Sequence, residues 1–219
     1  MGKRLSRLTL LRGVRELADR DKDLAWIAST FGPPPLWERE QGFPSLVRII
    51  LELQVSLASA KAAYDRLEVA VEPLEPSGFL ALTHRELRQI GFSRQKTRYG
   101  RALANAILDG SLDLPGLGKL EDKEAREQLM RVSGIGPGTA DLYLLLALGR
   151  PDVWPDGDLA LEVAIQQEKR LSRRPTPDEA RHMSDGWRPW RAVAARLLWH
   201  CYLRERKKGA PPTCPDRIA

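Results

Sequence analysis

From Leu46 onward, apolar residues recur at Leu46, Ile50, Leu53, Leu57, Ala60, Tyr64 and Leu67, always three or four positions apart. That spacing keeps one stripe of a helix against a core, whereas a strand would scatter the same residues over both its faces. No stretch of the chain alternates strictly, as a half-buried strand would. The expected fold class is therefore all-α, built from helices joined by short turns. Gln54 and Ser56 sit in this run as a polar residue and a candidate cap or break, and Pro73 and Pro76 end it.

Breakers and caps mark the other helices. A short helix opened by Asp23 must end before the rigid linker Gly32-Pro33-Pro34-Pro35. Further helices are expected from about Thr83 to Gly91, over 94–108, over 121–132, and from about Thr139 to Leu148. Another begins near Asp158. Thr176-Pro177-Asp178-Glu179 reads as a capping box with proline at the first helical position. The last helix starts near Pro189, and the proline-containing tail from Gly209 to Ala219 is expected to be loosely held.

Composition narrows the function. At 219 residues, 42% hydrophobic and 29% charged, the chain is neither disordered nor fibrous. No apolar run approaches about 20 residues, so no membrane span is expected. The basic start has no long apolar stretch to serve as a secretory signal. Two cysteines, Cys201 and Cys214, cannot build a disulfide framework or a four-thiolate cluster site. A cytoplasmic protein is expected. The net charge is +6, and six basic residues between Arg85 and Arg101 face one acid, Glu86. That run suits either a solvated helix face or a surface turned to phosphates.

The stretch with the most chemistry is Leu129-Met130-Arg131-Val132-Ser133-Gly134-Ile135-Gly136-Pro137-Gly138-Thr139-Ala140. A helix ends, a turn uses glycines at alternate positions, and a second helix begins at once. Glycine permits positive φ and close approach of another backbone. Amides gathered at a helix N-terminus make an anion site suited to a DNA phosphate. Gly134, Gly136, Gly138 and Thr139 are the candidate DNA-binding residues of this turn.

These residues resemble the helix-hairpin-helix DNA glycosylases, and among them the bacterial 3-methyladenine DNA glycosylase II group. The resemblance extends over nearly the whole chain. It includes Ile49-Ile50-Leu51-Glu52-Leu53-Gln54-Val55-Ser56, Gly91-Phe92-Ser93-Arg94-Gln95-Lys96, the hairpin, Val153-Trp154-Pro155-Asp156-Gly157-Asp158, and Trp187-Arg188-Pro189-Trp190-Arg191. It implies two helical lobes with a catalytic cleft between them. One lobe would span 36–150 and carry the hairpin at 129–148; the other would combine 1–35 with 151–219. It also implies a nucleoid-associated monomer that acts on double-stranded DNA containing damaged bases.

On its residues alone, Asp158 reads as a helix N-cap before Leu159-Ala160-Leu161. The resemblance places the family's catalytic aspartate there, where a carboxylate would stabilise positive charge on the sugar as the base leaves. Asp156, two residues earlier, is one place off the carboxylate pair of relatives. Trp199 lies about 180° from Trp190 around the last helix, off the apolar stripe of Trp190, Val193, Ala194, Leu197 and Cys201, with small Ala192 and Ala195 beside it. The resemblance makes Trp199 an active-site tryptophan of the base pocket. It also gives Gln54 the place of the residue that enters the duplex and fills the gap left by a flipped base.

Departures from the family are equally pointed. Relatives that also cleave the strand carry a lysine in the second half of the hairpin turn to form a Schiff base, and many alkylpurine relatives carry a tryptophan there. This chain has Gly138. No cofactor and no iron–sulfur cluster is expected. The resemblance gives the carbonyls of Met130, Val132 and Ile135 the place of a structural Na+ or K+ site. The implied activity is a monofunctional glycosylase for alkylated purines. The alternatives are a glycosylase for oxidised or mismatched bases, or a hairpin protein that binds DNA without catalysis.

Overall fold

A computed structural model describes residues 4–207; the tail from Gly209 and Cys214 lie outside them. The described residues form twelve α-helices, two short 3-10 turns and no strand. In chain order the helices are α1 Arg7–Ala18, α2 Lys22–Phe31, α3 Phe43–Glu52, α4 Leu57–Ala70, α5 Pro76–Ala81 and α6 His84–Ile90. They continue with α7 Arg94–Leu108, α8 Asp122–Met130, α9 Pro137–Leu146, α10 Leu159–Glu168, α11 Pro177–Ser184 and α12 Arg191–Lys207. No helix among the described residues is long and apolar enough to cross a membrane. The helices fall into two compact units: Glu38–Leu148, and the described residues before Glu38 together with those from Gly149 on.

Several local expectations change in three dimensions. The periodic run 46–67 is two helices, because Leu53 turns extended, Gln54 takes φ +57° and Ser56 caps α4 through the Ser59 amide. The helix expected over 121–132 ends at Met130. The one expected from Thr139 starts two residues earlier, at Pro137, whose fixed φ suits the first helical position. Two helices were not anticipated. α1 is opened by a reciprocal Ser6–Thr9 cap, and α5 is begun by Pro76, which terminates nothing.

In the first unit, α3 is the central element, with Leu46, Val47, Ile49 and Ile50 fully buried against α4, α7 and α9. Burying one such side chain is worth about 1.5–3 kcal/mol. Phe79 of α5 packs edge-on between Phe43 and Phe92, at 5.7 and 5.5 Å between ring centres. Arg39 Nη2 donates to both carboxylate oxygens of Glu52 at the end of α3, and the Tyr143 hydroxyl of α9 accepts the Gly42 amide. Those contacts anchor both ends of α3, just before the Gln54 turn.

The second unit is knitted from both ends of the chain. Asp21 caps α2 through the amides of Asp23 and Leu24, and also accepts Lys169 Nζ and the Trp187 indole N–H. Burial pushes this carboxyl up, yet the Lys169 and Trp187 bonds outweigh it and hold it below its ordinary value. The Trp190 indole donates to Glu16 at 2.6 Å, and its ring leaves no room for a Cβ on Gly13. Trp154 is buried against Trp187. These three tryptophans are structural. α12 is buried on every face from Ala192 to Leu198. Ala192 and Ala195, expected to leave space beside Trp199, are fully enclosed because α1, α2 and α10 surround the helix.

Candidate functional site

The hairpin lies within the first unit. The Val132 amide bonds the Leu129 carbonyl at 3.1 Å, and the Ile135 amide bonds the Val132 carbonyl at 3.0 Å, closing a tight turn. Leu129, Val132 and Ile135 are buried beneath it. Arg126 of α8 forks onto Asp141 of α9, so an ion pair with a buried carboxylate fixes one helix against the other. Gly136 is the N-cap of α9 and no side chain caps that N-terminus. Pro137 has no amide. The groups gathered there are the amides of Gly136, Gly138 and Thr139, with the positive end of the helix dipole behind them.

The two turn glycines have different reasons. Gly134 has φ +95°, and a Cβ on it would overlap the Tyr99 ring of α7. Its lack of a side chain is required by the fold. Gly136 has an extended φ of −86°, and a Cβ there would meet nothing within 4 Å. Nothing inside the protein requires that glycine; it keeps the approach to the amides clear. Thr139 is buried, at 5% exposed, in the first turn of α9.

The carbonyls of Met130, Val132 and Ile135 lie on this same turn. Three backbone oxygens are the donor type that suits a hard monovalent cation. The Val132 carbonyl already accepts the Ile135 amide and has one lone pair left. In the second unit, Glu168, Cys201 and Glu205 bring ligand-type atoms within 4.8 Å of one another, but the Cys201 thiol is spent as a donor to Glu168.

Gln54 is exposed at the tip of the turn between α3 and α4, in left-handed backbone that is uncommon for a residue other than glycine. Val55 and Leu57 beside it are also exposed, at 45% and 61%. An apolar, polar-tipped projection of this kind has no packing role in its own unit.

Asp158 and Trp199 meet in the second unit. Asp158 is the N-cap of α10, and its Oδ1 accepts the Leu161 amide at 2.9 Å. The same oxygen accepts the Trp199 indole N–H at 3.2 Å. Both donors use Oδ1; no described residue donates to Oδ2. Asp156 is held elsewhere, by both oxygens on Arg181 Nε at 2.9 and 3.0 Å. Glu162, one turn along α10, has its pKa raised by burial; Arg174 pulls it down and the charge of Asp158 pushes it up.

Trp37 is a neighbour that the sequence does not point to. Its ring stands edge-on to Trp199 at 6.4 Å and tilted to His200 at 6.3 Å. It adopts φ +47°, and the Leu36 carbonyl before it accepts Nε of the fully buried Arg196. Held strain of this kind costs of order 1–3 kcal/mol and gathers at functional sites. His200 itself is buried with its ring nitrogen on the Phe31 carbonyl, while His84 and His182 are exposed.

Comparison with known proteins fits this geometry. The family model described as "HhH-GPD superfamily base excision DNA repair protein" matches residues 47–189, well over half of the chain. The chain belongs to that family. The match takes in Gln54, the hairpin and Asp158, and ends before Trp199. A putative DNA-3-methyladenine glycosylase of Bacillus subtilis is 32% identical over 125 residues, 57% of this chain and 44% of its own length. This chain therefore spans less than half of that relative. DNA-3-methyladenine glycosylase 1 of Schizosaccharomyces pombe is 25% identical over 81% of this chain and 80% of its own. A solved structure of the 3-methyladenine DNA glycosylase of that yeast, in complex with abasic DNA, superposes with a TM-score of 0.80 at 23% identity. It covers 87% of this chain and 96% of that one, and shows the same fold.

Proposed function

We propose that this family member is a monofunctional, cofactor-free DNA glycosylase that flips a damaged base, an alkylated purine, out of double-stranded DNA and hydrolyses its N-glycosidic bond. The observation that carries the reading is the carboxylate of Asp158. One oxygen is fixed by two donors at a helix N-terminus, and the other is left for chemistry. A carboxylate in that state stabilises the positive charge that develops on the sugar as the bond to the base breaks. It also orients the water that attacks C1′. Trp199 serves two ends. Its indole N–H fixes the carboxylate, and its ring offers a face to a cationic alkylated base. The uncapped α9 N-terminus takes a backbone phosphate through the amides of Gly136, Gly138 and Thr139, and Gln54 fills the gap in the stack. A sodium or potassium ion on the carbonyls of Met130, Val132 and Ile135 would steady that turn without entering the reaction.

Gly138 stands where strand-cleaving relatives need a lysine, so the product is an intact abasic strand. The test is incubation with duplexes carrying single defined lesions, scoring released bases. Release of 7-methylguanine or 3-methyladenine with no borohydride-trapped protein–DNA adduct is expected. Release of only oxidised or mismatched bases, or a trapped adduct, overturns the substrate or the reaction type. Tight binding with no release at all would leave a non-catalytic hairpin protein.

A further inference from the structure

The proposed function uses none of the six basic residues between Arg85 and Arg101, and the fold divides them. Lys96 donates to the Leu51 carbonyl at 2.7 Å, and Arg101 donates to the carbonyls of Leu80 and Leu82. Both are spent on the ends of α3 and α5. Arg94 and Arg98 are different. They lie four residues apart on α7, both exposed, and neither pairs with an acid among the described residues. α7 contains no acidic side chain at all. Like charges at that spacing repel, so the stripe costs the helix stability.

The adjoining stripe of α7 shows where the arginines stand. Gln95 Nε2 donates to the Tyr99 hydroxyl at 2.7 Å, and the Tyr99 ring covers Gly134 so closely that no Cβ fits there. The Arg98 guanidinium rests 5.4 Å from the centre of the same ring. An aromatic seat of this kind restrains a long side chain while leaving its fork exposed. Through the Tyr99 ring, Arg98 is tied to the Gly134 side of the hairpin turn, and Arg94 lies one helical turn earlier on α7, within the same unit.

We propose that Arg94 and Arg98 form a second phosphate-binding strip, which continues the anion site of the hairpin along the same strand of duplex DNA. The proposal rests on the reading of the hairpin given above. The planar fork of arginine matches phosphate in two hydrogen bonds. Two arginines one helical turn apart, on a helix whose Tyr99 packs on the turn that leads into the uncapped α9 N-terminus, make a row of positive sites, and a row suits evenly spaced phosphates better than a single anion.

Salt dependence tests it, because each lost phosphate contact lowers the slope of log affinity against log salt by about one. The full chain, Arg94→Gln, Arg98→Gln and the double variant are titrated with an undamaged duplex from about 50 to 200 mM salt. Lys22→Gln, an exposed lysine on α2, controls for net charge. The expected result is a slope shallower by about one for each arginine removed and about two in the double variant, with no fall in melting temperature and no change in the control. A double variant that keeps the full slope overturns the strip alone. Equal losses on polyglutamate would overturn the assignment to DNA. A parent chain that binds no duplex at any salt overturns the hairpin reading, and the strip with it.

Discussion

Helices α9 and α10 begin in different units and treat the same electrostatic problem in opposite ways. Each N-terminus gathers amides without helical partners and carries roughly half a positive charge. α10 fills its own with the Asp158 carboxylate. α9 has glycine at its N-cap, proline next and no side chain over the end. A chain that had only to be stable would cap both, since a side-chain cap is worth about 1 kcal/mol. The open end suits an outside anion; the closed end holds one of its own, with an oxygen to spare.

The strongest way to break this comparison is to remove the charge at the closed end. Asp158→Asn keeps the shape and most of the capping, and excision should fall by about a hundredfold or more while duplex binding is retained. Asp156→Asn weakens its pairing with Arg181, away from the Asp158 carboxylate, and should leave base release near the parent level. Single-turnover base release measures both. Equal loss in Asp156→Asn with none in Asp158→Asn would move the active carboxylate two residues.

The open end is sharpened by its two glycines. Gly134→Ala should lower stability by about 2–4 kcal/mol, from left-handed backbone and collision with Tyr99. Gly136→Ala should leave stability within about 0.5 kcal/mol yet weaken duplex binding, since its Cβ enters the space a phosphate needs. Denaturation and binding curves together separate the two. A Gly136→Ala variant with unchanged affinity would remove the phosphate from the α9 N-terminus.

Trp199→Ala should lose about tenfold more activity on cationic 7-methylguanine than on neutral hypoxanthine, because cation–π attraction in a desolvated site reaches about 2 kcal/mol. Melting temperature is followed alongside. Equal losses in a folded variant would leave Trp199 only its hydrogen bond to Asp158.

A third N-terminus, that of α11, gives the smallest effect. Thr176 and Glu179 form a reciprocal cap, and Arg173 and the Thr176 amide hold Glu179 down to about 2 from an ordinary 4.5. A lowered carboxylate stabilises the fold above its unfolded value, and that contribution is lost as pH falls toward 2. Glu179→Gln should therefore flatten the melting-temperature profile slightly between about 4.5 and 2 and leave base release unchanged. The pair is exposed, so the change is small.

Local signals were legible wherever they act within a few residues. The spacing of apolar residues gave helices, the Thr176 box and the Ser56 cap gave starts, and glycines and prolines gave most of the ends, because a helix is fixed by contacts three and four residues apart. Two elements escaped that logic. The cap of α1 uses Thr9 where a carboxylate is usual, and Pro76 begins a helix where it reads as a terminator.

The sequence by itself determined an all-helical chain, membership of a hairpin family, and an Asp158 that must cap the helix after it. Only the tertiary structure decided what those residues face. The 3.2 Å bond from Trp199 to Asp158 joins residues 41 apart, and the Tyr99 ring over Gly134 joins α7 to the hairpin turn. Trp37 takes its left-handed backbone beside a carbonyl held by a buried arginine 160 residues away from it. Of the six basic residues from Arg85 to Arg101, distant carbonyls claim Lys96 and Arg101 and leave the other four exposed, Arg94 and Arg98 on α7 among them. Periodicity carries which face of a helix is covered; it does not carry which atoms cover it, since those come from chain far away.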